Sequence, residues 1–227
     1  MKNSIRTILS RTAMLPLIAM PTLVVSSCNI VGPAAYIVAG PPTVDAEYKL
    51  QDRPTVVFID DRENLINPVS LRRVLADRVS QELMTRKLVT RTISPQDAMG
   101  LASRYDTNRE VMPIDAIGRA VGAEQVLFIE ILAFSDRVDN TIPRAAAVVR
   151  VRLIDVENRV RLYPSADSEQ VGRVVQITTR EFPPDAYQSR SSRVKIYETL
   201  AQDSGDRIAK LFYKHEAREL GGSLRTK

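Results

Sequence analysis

The chain has 227 residues, 44% hydrophobic and 26% charged, a balance that fits one globular domain with a sizeable core and excludes a wholly disordered chain. No uninterrupted apolar run reaches the roughly 18 residues that would mark a multispanning membrane protein, and a single cysteine excludes an intramolecular disulfide framework or a cysteine-cluster metal site. Lys2, Arg6 and Arg11 place +3 of the formal +5 charge in residues 1–27, which hold no acid; the basic pI therefore belongs largely to the amino terminus, and nucleic acid is not an expected partner.

Residues 1–27 have the layout of an export signal, a basic leader followed by the apolar stretch Ala13 to Val25. Thirteen residues in a helix reach about 20 Å, short of the roughly 30 Å hydrocarbon core, and Pro16 and Pro21 weaken a permanent span further. The stretch ends in Val25-Ser26-Ser27-Cys28, which resembles the lipobox of bacterial lipoproteins. Small side chains at Ser26 and Ser27 admit the peptide bond to a narrow peptidase site, and the Cys28 thiolate is the nucleophile that takes a diacylglycerol. The resemblance implies cleavage between Ser27 and Cys28, acylation (palmitate-type chains) of the new amine as well, and an anchor of two or three chains. Asn29 stands where an Asp would resemble an inner-membrane retention signal, which favours the outer membrane. Residues 28–53, with Gly32-Pro33 and Gly40-Pro41-Pro42, are expected to form a lipidated tether.

The domain is expected over residues 54–216. Thr55 to Ile59 is a β-branched run predicted to be a strand buried on both faces, closed by Asp60-Asp61. A helix is predicted next, capped by Asn67 with Pro68 in its first turn, carrying Leu71, Val74, Leu75, Val79 and Leu83 as its apolar stripe. Leu88 to Thr92 predicts a short strand, Pro95 to Tyr105 and Pro113 to Val121 two helices with Gly122 as a stop, and Val126 to Phe134 a second buried strand. The period then changes to 2: Val149, Val151 and Leu153 alternate with Arg150 and Arg152. Strands at Val160 to Tyr163 and Val171 to Glu181 follow, then a last helix from about Ser191 to Glu216 and a loose tail over 217–227. This order predicts the α/β (α+β) class: a single α/β sandwich with a mixed, mostly antiparallel-ended sheet of about five strands flanked by helices.

Pro54-Thr-Val-Val-Phe-Ile-Asp-Asp, Leu88-Val-Thr-Arg-Thr-Ile-Ser-Pro-Gln-Asp and Ile117-Gly-Arg-Ala-Val-Gly-Ala-Glu-Gln-Val-Leu together resemble periplasmic lipoproteins related to the curli secretion lipoprotein and the TolB amino-terminal domain. The resemblance covers about residues 54–181 and implies the fold more than any activity. It also implies work in envelope secretion, transport or cell-wall synthesis complexes as a non-catalytic part. The membrane-spanning hairpin of the pore-forming members is not evident, which argues against channel formation.

Few residues are arranged for bond making. Asp60-Asp61 after a buried strand is reminiscent of the magnesium-holding acids of receiver domains, but the third Asp and late Lys of that site are not in place, and the pair is expected to cap the sheet and face water or Arg62. His215, the only histidine, is expected on a solvated helix face with no nucleophile beside it. Arg190, Arg193 and Lys195, near Tyr187, form a basic cluster suited to anionic headgroups or cell-wall polymer. The sequence therefore predicts no enzyme, no metal and no cofactor. It predicts a lipid-anchored, periplasm-facing binding or assembly module held in the membrane through acyl chains on Cys28, with an envelope protein or cell-wall partner. Self-association as part of a secretion or transport machine, and a hydrolase with an unrecognised site, are the alternatives.

Overall fold

The computed structural model describes residues 42–105, 111–137 and 144–217. The export signal, Ser27, Cys28 and the tether as far as Pro41 lie outside the described residues, as does the tail from Arg218. Elements run in the order β1 (Thr43–Val44), β2 (Thr55–Asp60), α1 (Ser70–Thr85), β3 (Thr92–Ile93), α2 (Pro95–Tyr105), α3 (Ile114–Ala120), β4 (Gln125–Ser135), β5 (Ala146–Asp155), β6 (Val160–Tyr163), β7 (Arg173–Thr178), α4 (Arg190–Ala209) and β8 (His215–Glu216). Short 3-10 turns cover Pro184–Tyr187 and Lys210–Phe212.

The main sheet has six strands in the order β3-β2-β4-β5, and the far edge of β5 is shared between β6 and β7. The β2 strand runs parallel to β3 and β4, while β5 is antiparallel to β4, β6 and β7. The class is therefore the mixed α/β sandwich that the order of elements predicts. Because side chains alternate along a strand, each cross-strand row belongs to one face. Val57, Leu127 and Leu153 share a row, Ile59, Ile129 and Val151 the next, and both rows are buried under α1 and α4. On the opposite face Val56, Val126 and Ile154 share a row, then Phe58, Phe128 and Arg152, then Asp60, Glu130, Arg150 and Val174. The α2 and α3 helices close over the apolar part of this second face, with Ala98, Ala102 and Ile117 in its cluster.

A tight contact explains one glycine and a positive φ another. A Cβ on Gly118 would sit 2.6 Å from Val156 Cγ2 and 2.7 Å from Val126 Cγ2, so α3 lies against the sheet only because that position has no side chain. Gly122 has φ +74°, the left-handed conformation of a helix stop. Ala123 N–H donates to Gly118 O (2.9 Å) and Gly122 N–H to Arg119 O (3.2 Å), a Schellman ending that turns the chain into β4.

Several boundaries differ from the sequence expectation. The α1 helix starts at Ser70, with Val69 at its N-cap and no side-chain cap, so Asn67 and Pro68 belong to the preceding loop. Of the 88–92 segment only Thr92 pairs, in the two-residue strand Thr92–Ile93; Leu88 and Val89 turn inward to the core instead. The last helix ends at Ala209, after which the chain returns as β8, so His215 lies on a strand and not on a helix. β8 pairs with β1, and Ala217 N–H donates to Pro42 O at 2.6 Å.

The boundary expected at residue 54 moves to Pro42. Leu50 is buried in the main core, Tyr48 packs on Tyr163 with ring centroids 5.7 Å apart, and the Glu47 and Tyr48 amides both donate to Leu211 O. Residues 42–53 look like a linker by composition because their order comes from main-chain groups and single anchoring side chains, not from a periodic apolar pattern.

Candidate functional site

The carboxyl ends of parallel strands in an open α/β sheet are where ligands usually sit, and Asp60, Asp61 and Glu130 gather there. Each is engaged by the protein. Asp61 has a fully buried side chain; its Oδ1 accepts Leu65 N–H (2.8 Å), and its Oδ2 accepts Ile66 N–H (3.0 Å) and Arg72 Nε–H (2.8 Å). It holds the loop between β2 and α1 and does not face water, contrary to the expectation. Asp60 meets Arg62 Nε at 3.1 Å, as expected. Glu130 takes Arg150 Nη1 on both oxygens at 2.9 Å and Arg152 Nη2 at 3.4 Å. The Arg152 guanidinium also stacks over Phe128, 4.5 Å from the ring centroid, and burial pushes its pKa down. Arg150 and Arg152 are thus half-buried partners of an acid, not free cations on an open face. Among the described residues no three His, Cys, Asp or Glu side chains converge as they would around a metal ion.

A second polar knot ties the segment before β2 to the sheet. Glu47 accepts Arg173 Nε–H and Nη2–H, each at 2.8 Å, and the Tyr163 hydroxyl. The Arg173 bonds hold the Glu47 carboxyl below its ordinary range, while burial and the same carboxylate push the Tyr163 hydroxyl well above its own. The arrangement is a structural clamp, with every strong donor and acceptor turned on another.

The basic cluster behaves differently. Ser189 caps α4 by accepting Ser192 N–H at 3.0 Å. Arg190, Arg193, Val194 and Tyr197 then fall on one helical face, and with Asn67 and Pro68 they line a groove of about 280 Å³. Lys195 is exposed on another face and does not line it. The structure thus brings together two of the three cations expected to act jointly. Neither arginine pairs with a carboxylate among the described residues. Tyr197 is stacked on Phe134 at 5.8 Å, and burial pushes its hydroxyl up. Sequence reasoning missed the far wall of this groove because Asn67 and Pro68 had been assigned to the helix start.

A groove system at the opposite end of α4 was not foreseen. One groove of about 570 Å³ is lined by Thr43, Arg86, Lys210, Tyr213, Lys214 and His215 among others, and a second of about 230 Å³ shares Lys210 and His215 and adds Arg173 and Arg207. They flank the β1–β8 ribbon. His215 has a ring nitrogen 3.1 Å from Tyr213 O and its ring edge-on to Tyr213, and among the described residues no Ser or Cys lines either groove.

No protein family model matches the chain, and no curated protein matches it in sequence. Among solved structures, a hypothetical protein from Chlamydia trachomatis is similar at 16% identity and a TM-score of 0.41, over 69% of this chain and 96% of that one. The PelC dodecamer from Paraburkholderia phytofirmans is similar at 14% identity and a TM-score of 0.36, over 75% and 96%. Lipoprotein GNA1162 from Neisseria meningitidis is similar at 11% identity and a TM-score of 0.35, over 63% and 96%. No helix of the described residues is long and apolar enough to cross a membrane.

Proposed function

We propose that this chain is a lipid-anchored, periplasm-facing envelope protein, held by acyl chains on Cys28, whose α/β domain is a non-catalytic binding module for an anionic envelope partner. The observation that carries the anchor is that the only cysteine follows Val25-Ser26-Ser27 after a basic leader and an apolar stretch too short to span. Asn29 favours the outer membrane as its address. The non-catalytic reading is supported by the strand-end acids, each spent on an arginine or a backbone amide. The groove at the amino end of α4 supports the binding role: Arg190 and Arg193 have no carboxylate partner among the described residues and stand beside an aromatic wall, and the helix dipole adds positive potential.

The anchor is tested by intact mass. Wild type should begin at Cys28 with added acyl mass and fractionate with membrane, while Cys28→Ser should lack that mass; wild-type protein of unmodified mass from any start site defeats the assignment. The binding role is tested by cross-linking and co-purification from solubilised envelope: Arg190→Glu with Arg193→Glu should lose the partner that wild type retains, and Lys195→Glu should keep it.

A second reading, self-association, has one observation in its favour. Among the described residues β7 pairs with β5 alone, and its Val174 is 41% exposed. A concentration-dependent mass in sedimentation velocity that Val174→Lys abolishes would favour it.

A further inference from the structure

The ribbon formed by β1 and β8 is the point where the chain both enters and leaves the described domain. Pro42 and Ala217 are joined there by a main-chain hydrogen bond, so the segment that leads back to Cys28 departs from this spot. The side chains around the spot are mainly basic. Arg86, Arg207, Lys210 and Lys214 line the two flanking grooves. Among the described residues Lys210 makes no ion pair, Arg207 makes none within 4 Å although its charge acts on Glu47, and Lys214 meets the exposed Asp45 at 3.5 Å. Against them stand Asp45, Glu47 and Glu216, of which Glu47 is already bound by Arg173. Val44, 44% exposed, adds an apolar tip to the same ribbon.

From this convergence we infer that the ribbon end of the domain docks on anionic phospholipid headgroups, with Arg207, Lys210 and Lys214 as the contacting cations. The inference rests on the anchor proposed above: acyl chains on Cys28 hold the entry point near a bilayer, and a basic surface is the usual second signal that fixes a tethered domain. It also assigns the two basic regions different partners. The α4 helix has 20 residues and is about 30 Å long, several Debye lengths at physiological salt. Lys210 lies just past its carboxyl end and Arg190 at its amino end, so a domain resting on its ribbon presents the Arg190–Arg193 groove away from that membrane.

The test uses the acylated protein in phosphatidylcholine vesicles with and without phosphatidylglycerol. With the thiol of Cys28 taken by lipid, a single spin label can be placed through Thr43→Cys on the ribbon or Gln188→Cys beside the start of α4. A nickel-chelating lipid then reports which label approaches the headgroups. Phosphatidylglycerol should strengthen relaxation of the label at position 43 and leave the one at 188 unchanged. Lys210→Gln with Lys214→Gln, checked for an unaltered melting curve, should remove that difference, and so should high salt acting on the wild type. Acylated protein that partitions into both vesicles with identical relaxation at position 43 overturns the docking and leaves the anchor intact. Stronger relaxation at 188 overturns it in favour of the opposite orientation. A chain without acyl mass that binds neither vesicle overturns anchor and docking together.

Discussion

Asp61 offers the sharpest separation between a structural and a chemical role for the acids at the end of β2. Replacement by Asn keeps the size and removes the charge. One oxygen of Asp61 serves Leu65 N–H and the other serves Ile66 N–H and Arg72 Nε–H. Whichever position receives the amide nitrogen, its hydrogens point at a donor, so at least one main-chain N–H loses its acceptor, and Arg72 loses an anionic partner at a side chain only 20% exposed. A hydrogen bond to a charged group is worth about 1.5–3 kcal/mol, and a buried donor left unsatisfied costs about 1–3 kcal/mol. Asp61→Asn should therefore destabilise the domain by roughly 3 kcal/mol, a fall in Tm of roughly 6–12 °C at this domain size. The ion pair of Asp60 with the largely exposed Arg62 is worth no more than about 1 kcal/mol, so Asp60→Asn should cost less than Asp61→Asn. Differential scanning calorimetry reads both. Acids kept together for metal or phosphate chemistry repel one another, so neutralising one would raise Tm or leave it unchanged. An unshifted Tm for Asp61→Asn refutes the structural assignment.

Phe128→Asp should abolish the cooperative melting transition, because Phe128 is 2% exposed between Phe58 and Arg152 and a carboxylate there costs on the order of 4 kcal/mol or more. A chain starting at residue 42 should fold, whereas one starting at 54 should lose about 4 kcal/mol or more in urea titration, since it leaves the Leu50 site empty and Arg173 and Tyr163 without Glu47. Asp155 accepts Asn158 N–H and Arg53, which depresses its pKa in the fold. Its contribution is therefore fully present above the unfolded value near 3.9 and fades as pH falls through the depressed one; in stability curves taken below about pH 4, Asp155→Asn should lose less than wild type.

The parts of the fold legible in the sequence are those where one periodic pattern had one outcome. The β-branched run at Thr55 and the apolar run at Val126 lie between helices on both faces, so Thr55 to Ile59 and Val126 to Ile129 are buried at every position and each stretch reads as continuous. The alternation in β5 records the opposite case, a strand with one face under α1 and α4 and the other carrying Arg150 and Arg152. Gly122 announces a helix stop and its positive φ gives the reason, while the contact of Gly118 with two valines shows how closely that helix meets the sheet. The ends of elements were harder. Pro68 signals a helix start by its fixed φ, yet α1 begins two residues later, because the intervening loop is fastened by Asp61 from outside the helix. Nothing local in Lys214-His215-Glu216 separates a helix end from a strand, since what pulls it straight is Thr43–Val44, more than 170 residues earlier in the chain.

The same distinction governs the candidate site. The Arg190, Arg193 and Lys195 cluster is visible in one dimension, but helical geometry decides which members act together, and a spacing of three joins Arg190 to Arg193 while a spacing of five turns Lys195 away. The ribbon cations have no such signature, for Arg86, Arg207 and Lys214 belong to three separate segments. Their shared feature is closure: β1 and β8 bring the two ends of the domain to one place, in grooves that Arg86, Arg207 and Lys210 also line. On the docking proposed above, that closure sets the electrostatic contact with the membrane. Lengthening residues 29–41 with a glycine-serine insert should therefore weaken headgroup contact at the ribbon gradually, as effective concentration falls with linker length. Breaking the β1–β8 pairing with Val44→Pro should remove it abruptly, while the main core, built on other strands, keeps its melting transition.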